Sequence, residues 1–160
     1  MDNFNTKFEL FKPNLSHIKQ MQELVLSDVE NGNILPRDEN EMATNIRSYV
    51  AIKDKETNII IGFVALHIYT TTLAEIRSLI VHSDFRGIGI AKKLINHCVD
   101  EGRKLTVKKL LVLTYKQKLF EAFGFEVILK ESIPETKIWA DCIKCKHFPI
   151  CDEISLTLDI

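Results

Sequence analysis

At 160 residues, 46% hydrophobic and 27% charged, the chain can bury one proper core and has the composition of an ordinary soluble globule. A net charge of −1 excludes a bulk electrostatic case for nucleic acid or an anionic membrane surface. No apolar run approaches the ~18 residues of a membrane span. The start, Met1-Asp2-Asn3-Phe4, shows neither a basic nor an apolar leader pattern. Four cysteines beside no export signal point to a reducing, cytoplasmic setting rather than a disulfide framework, and one domain over residues 1–160 is expected.

In chain order, residues 7–11 alternate enough for a first strand, stopped by Pro13. Asn14 caps a helix with apolar positions Leu15, Ile18, Met21, Leu24 and Val25, which Gly32 and Asn33 end. A connector over 34–37 leads to a short polar helix over 38–47. Residues 48–53 and 59–69 read as strands joined by Asp54-Lys55-Glu56-Thr57-Asn58, a turn by composition. A further strand covers 73–81. Ile90, Leu94, Ile95, Cys98 and Val99 then make a helical stripe reaching about Gly102. Residues 110–114 form an apolar strand expected to be covered on both faces, 117–123 a short helix capped by Gly124, and 125–129 and 154–158 the last strands. The order is that of a mixed α/β fold around a central sheet.

The run Asp84-Phe85-Arg86-Gly87-Ile88-Gly89-Ile90-Ala91-Lys92-Lys93-Leu94 joins the strand over 73–81 to the striped helix. Glycines at that junction let the backbone approach an anion closely and converge its N–H groups. The helix adds its unsatisfied first-turn donors and the positive end of its dipole. The result is a phosphate cradle made of backbone. It lacks the Lys-Ser/Thr of a P-loop and the full spacing of a dinucleotide fingerprint. Arg-Gly-x-Gly is short, and an ordinary strand-to-helix turn would also account for it; the strand before and the helix after are what give it weight.

The arrangement Arg86-x-x-Gly89-x-Ala91, after a strand beginning Ala74-Glu75-Ile76, resembles the pyrophosphate loop of the GNAT N-acetyltransferases. Leu119-Phe120-Glu121-Ala122-Phe123-Gly124-Phe125 resembles that family's second marker, an aromatic helix ending in Gly-Phe. The resemblance implies the GNAT α/β fold, in which two neighbouring parallel strands splay apart to hold the pantetheine arm of acetyl-coenzyme A. Those strands would be 73–81 and 110–114. It implies acetyl-coenzyme A as cosubstrate, contacted by Leu79, Ile80, Val81, Arg86, Gly87, Ile88, Gly89, Ile90, Ala91 and Phe120.

A narrower likeness lies in Ala74-Glu75-Ile76-Arg77-Ser78-Leu79, Leu113-Thr114-Tyr115-Lys116, Lys137-Ile138-Trp139-Ala140-Asp141-Cys142-Ile143-Lys144-Cys145, Phe148-Pro149 and Cys151-Asp152-Glu153. These segments look like the short, single-domain N-acetylglutamate synthases of bacterial arginine synthesis, which lack an amino-acid-kinase domain. The likeness covers roughly residues 34–158. Glutamate or glutamine is then the expected acceptor. The expected partners are a small amino acid, with no nucleic acid and no membrane, and a homodimer is left open.

An amino acid's α-amino group, with a pKa of about 8, arrives mostly protonated at neutral pH. The site must remove a proton, polarise the thioester carbonyl and return a proton to the leaving thiolate. Glu75 is the expected base, against the alternative of a solvated carboxylate on a strand edge. Alternation puts Arg77 on the same face, where it could neutralise Glu75 or hold a substrate carboxylate. Many family members use a tyrosine in the aromatic helix as the acid; Phe120 cannot donate, and the nearest hydroxyls are those of Thr114 and Tyr115. The resemblance favours Thr114, although a thiolate can also leave unassisted. Arg37 matches the arginine that grips the acceptor's side-chain carboxylate in the synthases, against the alternative of an exposed helix-start arginine. Backbone N–H groups near Leu35 and Ser78 could take the α-carboxylate.

Cys142-x-x-Cys145, with Cys151 and His147, has partial zinc-ligand spacing. Packing of small side chains under Trp139 is favoured because no second CxxC pair accompanies it, so no metal is expected. Cys98 is expected in the core, and His82 in a structural role. Acetylation of another small amine or a protein N-terminus is the alternative activity. A non-catalytic coenzyme- or zinc-binding module is the alternative class; it would leave Glu75 beside an intact loop unexplained.

Overall fold

The computed structural model describes residues 3–32, 34–133 and 153–160. The cysteine-rich tail, with its zinc question, and Asn33 lie outside the described residues. Seven strands make one sheet: β1 (Phe8–Phe11), β2 (Tyr49–Asp54), β3 (Ile60–Ile68), β4 (Leu73–Val81), β5 (Lys109–Thr114), β6 (Glu126–Ile128) and β7 (Ile154–Asp159). Their order is β1-β2-β3-β4-β5-β7-β6, antiparallel throughout except where β4 and β5 run parallel. The helices are α1 (Phe4–Lys7), α2 (Ile18–Glu30), α3 (Glu39–Thr44), α4 (Ile90–Lys104) and α5 (Gln117–Glu121).

Local chemistry explains most of the boundaries. Asn14 and His17 form a reciprocal capping box, and Asp38 Oδ1 accepts from the Glu41 N–H to start α3. The Asp54 carboxylate accepts from the Glu56 and Thr57 N–H groups, and Asn58 takes φ +62°, closing the β2–β3 turn. Lys7 belongs to α1 rather than to the first strand. Leu15 sits in a 3-10 turn and is 60% exposed, so the apolar stripe of α2 begins at Ile18. The helix expected over 38–47 breaks into α3 and a 3-10 turn over Ile46–Ser48. The aromatic helix stops at Glu121: Phe123 N–H bonds Phe120 C=O, and Gly124 takes φ +93°.

Two apolar layers sandwich the sheet. On one face α4 lies against β2, β3 and β4, burying Ile90, Leu94, Ile95, Cys98 and Val99 over Ile52, Val64, Ala74 and Ile76. On the other face Ile18 and Met21 of α2 and Met42 of α3 pack on Tyr49, Ala51, Phe63 and Ala65. Burial of the Cys98 thiol pushes its pKa up to about 12, so it stays protonated, as a core residue should. No helix among the described residues is long and apolar enough to cross a membrane.

Pairing of β4 with β5 ends at Glu75↔Leu111, while β4 continues to Val81 and β5 to Thr114. Beyond that rung β5 stays paired to β7 and β4 to β3, so the sheet opens between them. A bulge in β4 shapes this open stretch. Phe63 faces Ile80 and Ala65 faces Arg77, so Val64 alone spans the two residues Ser78 and Leu79. Ser78 adopts φ +59°, a left-handed conformation unusual outside glycine. The bulge resets the alternation: Arg77 and Ile80, three apart, share a face.

Candidate active site

The loop leaving β4 turns through a 3-10 segment, Ser83–Phe85, capped by His82, whose Nδ1 accepts from the Asp84 N–H. This is the structural role expected for His82. Arg86 Nε donates to Val81 C=O at 3.0 Å, stapling the loop to the strand end. Gly87 and Gly89 take φ +78° and +94°, and a Cβ added at either would meet nothing within 4 Å. The space above the loop is therefore open, and glycine is required there by backbone conformation rather than by crowding. Gly89 is the N-cap of α4 and has no side chain of its own with which to cap the first-turn N–H donors of Ile90, Ala91 and Lys92. Lys92 is exposed on that turn, and Lys93 stands over the Phe4 ring at 4.9 Å. Open backbone donors, a helix dipole and adjacent cations suit a diphosphate. The side chains of Ile80, Val81, Ile90 and Phe120 are buried, so any contact from the first three runs through backbone. Phe120 packs edge-on against Phe125, with ring centroids 5.4 Å apart, in the core.

Glu75 sits on the last β4–β5 rung, opposite His67 on its other side, and is 2% exposed. It is not the solvated edge carboxylate that its residue type alone would suggest. Tyr69 donates its hydroxyl to Glu75 Oε1 at 2.7 Å, and the Tyr69 ring meets His67 edge-on at 4.8 Å. Arg77 lies on the same face and is buried. Across the gap, Thr114 closes β5; its Oγ1 accepts from the Lys116 N–H at 2.9 Å, which leaves its own proton available. Strand alternation puts Thr114 on the sheet face opposite Glu75, since Leu111 and Leu113 share the glutamate's face. Tyr115 lies beyond the strand end and is exposed.

Leu35, Arg37 and Ser78, separated in the chain, meet in one cavity of about 200 Å³. Its walls are Gln22, Val25, Leu26 and Val29 from α2, the 34–37 connector, Met42 from α3, and Tyr49 and Phe63 from the sheet. The Arg37 side chain is 7% exposed, so it is no surface residue, and NH1 donates to Glu41 Oε1 at 2.9 Å. Gln22 Nε2 donates to Arg37 C=O at 3.1 Å, fixing the connector against α2.

The residues that the sequence did not single out are Tyr69, Glu41, Gln22 and Ser155. Ser155 is buried in β7 opposite Leu113, on the Glu75 face, and its Oγ has no hydrogen-bond partner among the described residues. The Arg37–Glu41 spacing of four on a polar helix start was a readable signal. The Tyr69–Glu75 contact depends on how the β3–β4 connection folds back, which no local pattern encodes.

The splayed parallel pair, the bulged β4 and the uncapped glycine loop define an acetyltransferase of the GNAT class. The model of the acetyltransferase (GNAT) family matches residues 17–125, and the chain belongs to that family. It is 35% identical to an uncharacterized N-acetyltransferase of Chlorobaculum tepidum, over 78% of this chain and 79% of that protein. It is 31% identical to the amino-acid acetyltransferase of Mycobacterium tuberculosis over 48% of this chain and 43% of that one. Among solved structures, N-acetylglutamate synthase from Neisseria gonorrhoeae, complexed with coenzyme A and N-acetyl-glutamate, superposes with a TM-score of 0.85 at 18% identity. The match covers 99% of this chain but 36% of the gonococcal one. Rv2747 of Mycobacterium tuberculosis, solved with coenzyme A, gives 0.82 at 17% identity, covering 95% of this chain and 99% of that one. At these identities the structural likeness speaks for the fold.

Proposed function

We propose that this chain transfers an acetyl group from acetyl-coenzyme A, the cosubstrate of its family, to the α-amino group of glutamate or glutamine. The observation that carries the acceptor reading is the cavity. It ends at Ser78 on the β4 bulge, next to Arg77 and three residues from Glu75, and it holds Arg37 at its wall. An amino acid whose side chain entered this cavity would bring its α-amino group toward the open stretch of β4. The names of the mycobacterial amino-acid acetyltransferase and the gonococcal synthase point to the same chemistry.

In this reading the Gly87–Gly89 loop and the first turn of α4 hold the diphosphate, and the coenzyme supplies an acetyl thioester in the gap between β4 and β5. Glu75 accepts the proton that the α-ammonium must lose before its nitrogen can attack. Tyr69 orients the carboxylate, which takes that proton directly or through water. The backbone N–H groups of the bulge are the donors nearest the developing negative charge on the carbonyl oxygen. As the C–S bond breaks, the Thr114 hydroxyl supplies a proton to the sulfur. Arg37 and Gln22 bind the far end of the acceptor, and backbone at Leu35 and Ser78 its carboxylate.

Acetyl-coenzyme A turnover against the free amino acids, polyamines and short peptides tests this reading. Release of coenzyme A with glutamate or glutamine, and little with lysine or spermidine, is the expected result. Turnover confined to a peptide N-terminus would replace the acceptor assignment while leaving the family standing.

A further inference from the structure

His67, Tyr69 and Glu75 share one face of the β3–β4 hairpin. His67 stands directly across the ladder from Glu75, and Tyr69 follows two residues later, just past the end of β3. Backbone bonds fasten the turn. Tyr69 N–H and Thr70 N–H donate to Leu73 C=O at 2.9 and 3.2 Å, and Thr70 Oγ1 accepts from Leu73 N–H at 3.0 Å. These bonds fix where the Tyr69 backbone lies but not which way its ring turns. Tyr69 is half-buried, so a different χ1 rotamer would carry its hydroxyl away from Glu75.

The His67 ring supplies a constraint that the backbone does not. Its centroid lies 4.8 Å from that of Tyr69 with the ring planes at 76°, the edge-to-face arrangement that aromatic pairs prefer. With the Tyr69 ring in that position, its hydroxyl meets Glu75 Oε1 at 2.7 Å. Glu75 itself is buried on the last β4–β5 rung. A base held loosely loses rate steeply, because proton transfer needs the heavy atoms within hydrogen-bond reach. A residue that fixes the partner of the carboxylate therefore bears on turnover without touching the substrate.

We propose that His67 is a positioning residue for the base: its ring holds the Tyr69 hydroxyl on Glu75, and its ring nitrogens take no part in the reaction. The proposal rests on the reading of Glu75 as the proton acceptor and extends it to the residue behind the Tyr69–Glu75 bond. What is asked of His67 is shape, so a phenyl ring at the same position should serve as well.

The test measures kcat and both KM values by thiol release, using the fastest acceptor among the free amino acids, polyamines and short peptides. The variants are His67→Phe, His67→Thr, Tyr69→Phe and the His67→Thr/Tyr69→Phe double variant. Threonine keeps the strand propensity and removes the ring, whereas phenylalanine keeps the ring and removes the nitrogens. His67→Thr should lower kcat by roughly three- to ten-fold, the effect of one aromatic contact, with the KM for acetyl-coenzyme A unchanged. His67→Phe should stay within about two-fold of the wild type. In the Tyr69→Phe background, His67→Thr should cost less than about two-fold more, because the hydroxyl it positions is already gone. A fully active His67→Thr overturns the inference. So do equal losses in His67→Phe and His67→Thr, which would assign the effect to the nitrogens, or a fully additive loss in the double variant. If His67→Thr does not fold, His67→Leu, which fills similar space without a ring, is read in its place. An unchanged rate in Glu75→Gln overturns the base reading and this inference together, whereas an inactive Glu75→Gln beside a fully active His67→Thr overturns the inference alone.

Discussion

The hydroxyl of Tyr69 donates to Oε1 of Glu75 across 2.7 Å, tying the end of β3 to the rung at which β4 and β5 part. Glu75 is 2% exposed, and this bond holds its carboxylate in place at that rung. Glu75→Gln preserves the shape but removes the proposed proton acceptor, so turnover should fall by about a hundred-fold or more at neutral pH. Tyr69→Phe keeps the ring against His67 and removes only the donor. It should lower kcat by roughly ten-fold with little change in the KM for acetyl-coenzyme A. Steady-state kinetics on both variants check this, and an unchanged rate in Glu75→Gln would mean that another group or bulk water takes the proton.

Gly89 combines φ +94° with the N-cap position of α4 and open space above it. Gly89→Asp would place a carboxylate among the donors proposed to hold the diphosphate, and would strain the backbone. Acetyl-coenzyme A binding should be lost in calorimetric titration while circular dichroism stays native. Unchanged affinity in the folded variant would remove the loop from the coenzyme site.

Arg37→Ala should raise the acceptor's KM by roughly ten- to a hundred-fold, the worth of a charge-assisted hydrogen bond. The KM for acetyl-coenzyme A should hardly move, because the proposed coenzyme site, the glycine loop and the β4–β5 gap, does not include the Arg37 cavity. The loss should be larger for glutamate than for glutamine, since Glu41 would remain without its partner. Equal effects on both substrates' KM values would take Arg37 out of the acceptor pocket.

Gly62 of β3 pairs with Val81, under the start of α4, and a Cβ there would lie 2.9 Å from Ile80 C=O and 3.3 Å from Ile90 Cγ2. Backbone cannot swing aside as a side-chain tip can. Gly62→Ala should therefore destabilise the fold by about 1–3 kcal/mol. Thermal unfolding should show a Tm lower by several degrees. A neutral result would mean that β4 and α4 shift together without cost.

The sequence alone determined the features that local physics dictates. β4 runs from Leu73 to Val81 as expected, the stripe of α4 begins at Ile90, and Gly87 and Gly89 sit at positive φ between them. Periodicity, capping and the conformational freedom of glycine act within a few residues, so they are legible without neighbours. Helix lengths were less so: α3 and α5 stop early, and Leu15 faces solvent, because tertiary packing rather than propensity set those ends. Tertiary structure alone decided the bulge at Ser78, a non-glycine held at φ +59° by pairing with β3. It alone buried Glu75 under Tyr69, and it brought Leu35, Arg37 and Ser78 to one cavity whose other wall is α2. Such contacts join residues that the chain keeps far apart, and their energies depend on the whole sheet being assembled. That is why the loop could be read from residues 84–94, whereas the cavity at Arg37 and Ser78 emerged only from the folded molecule.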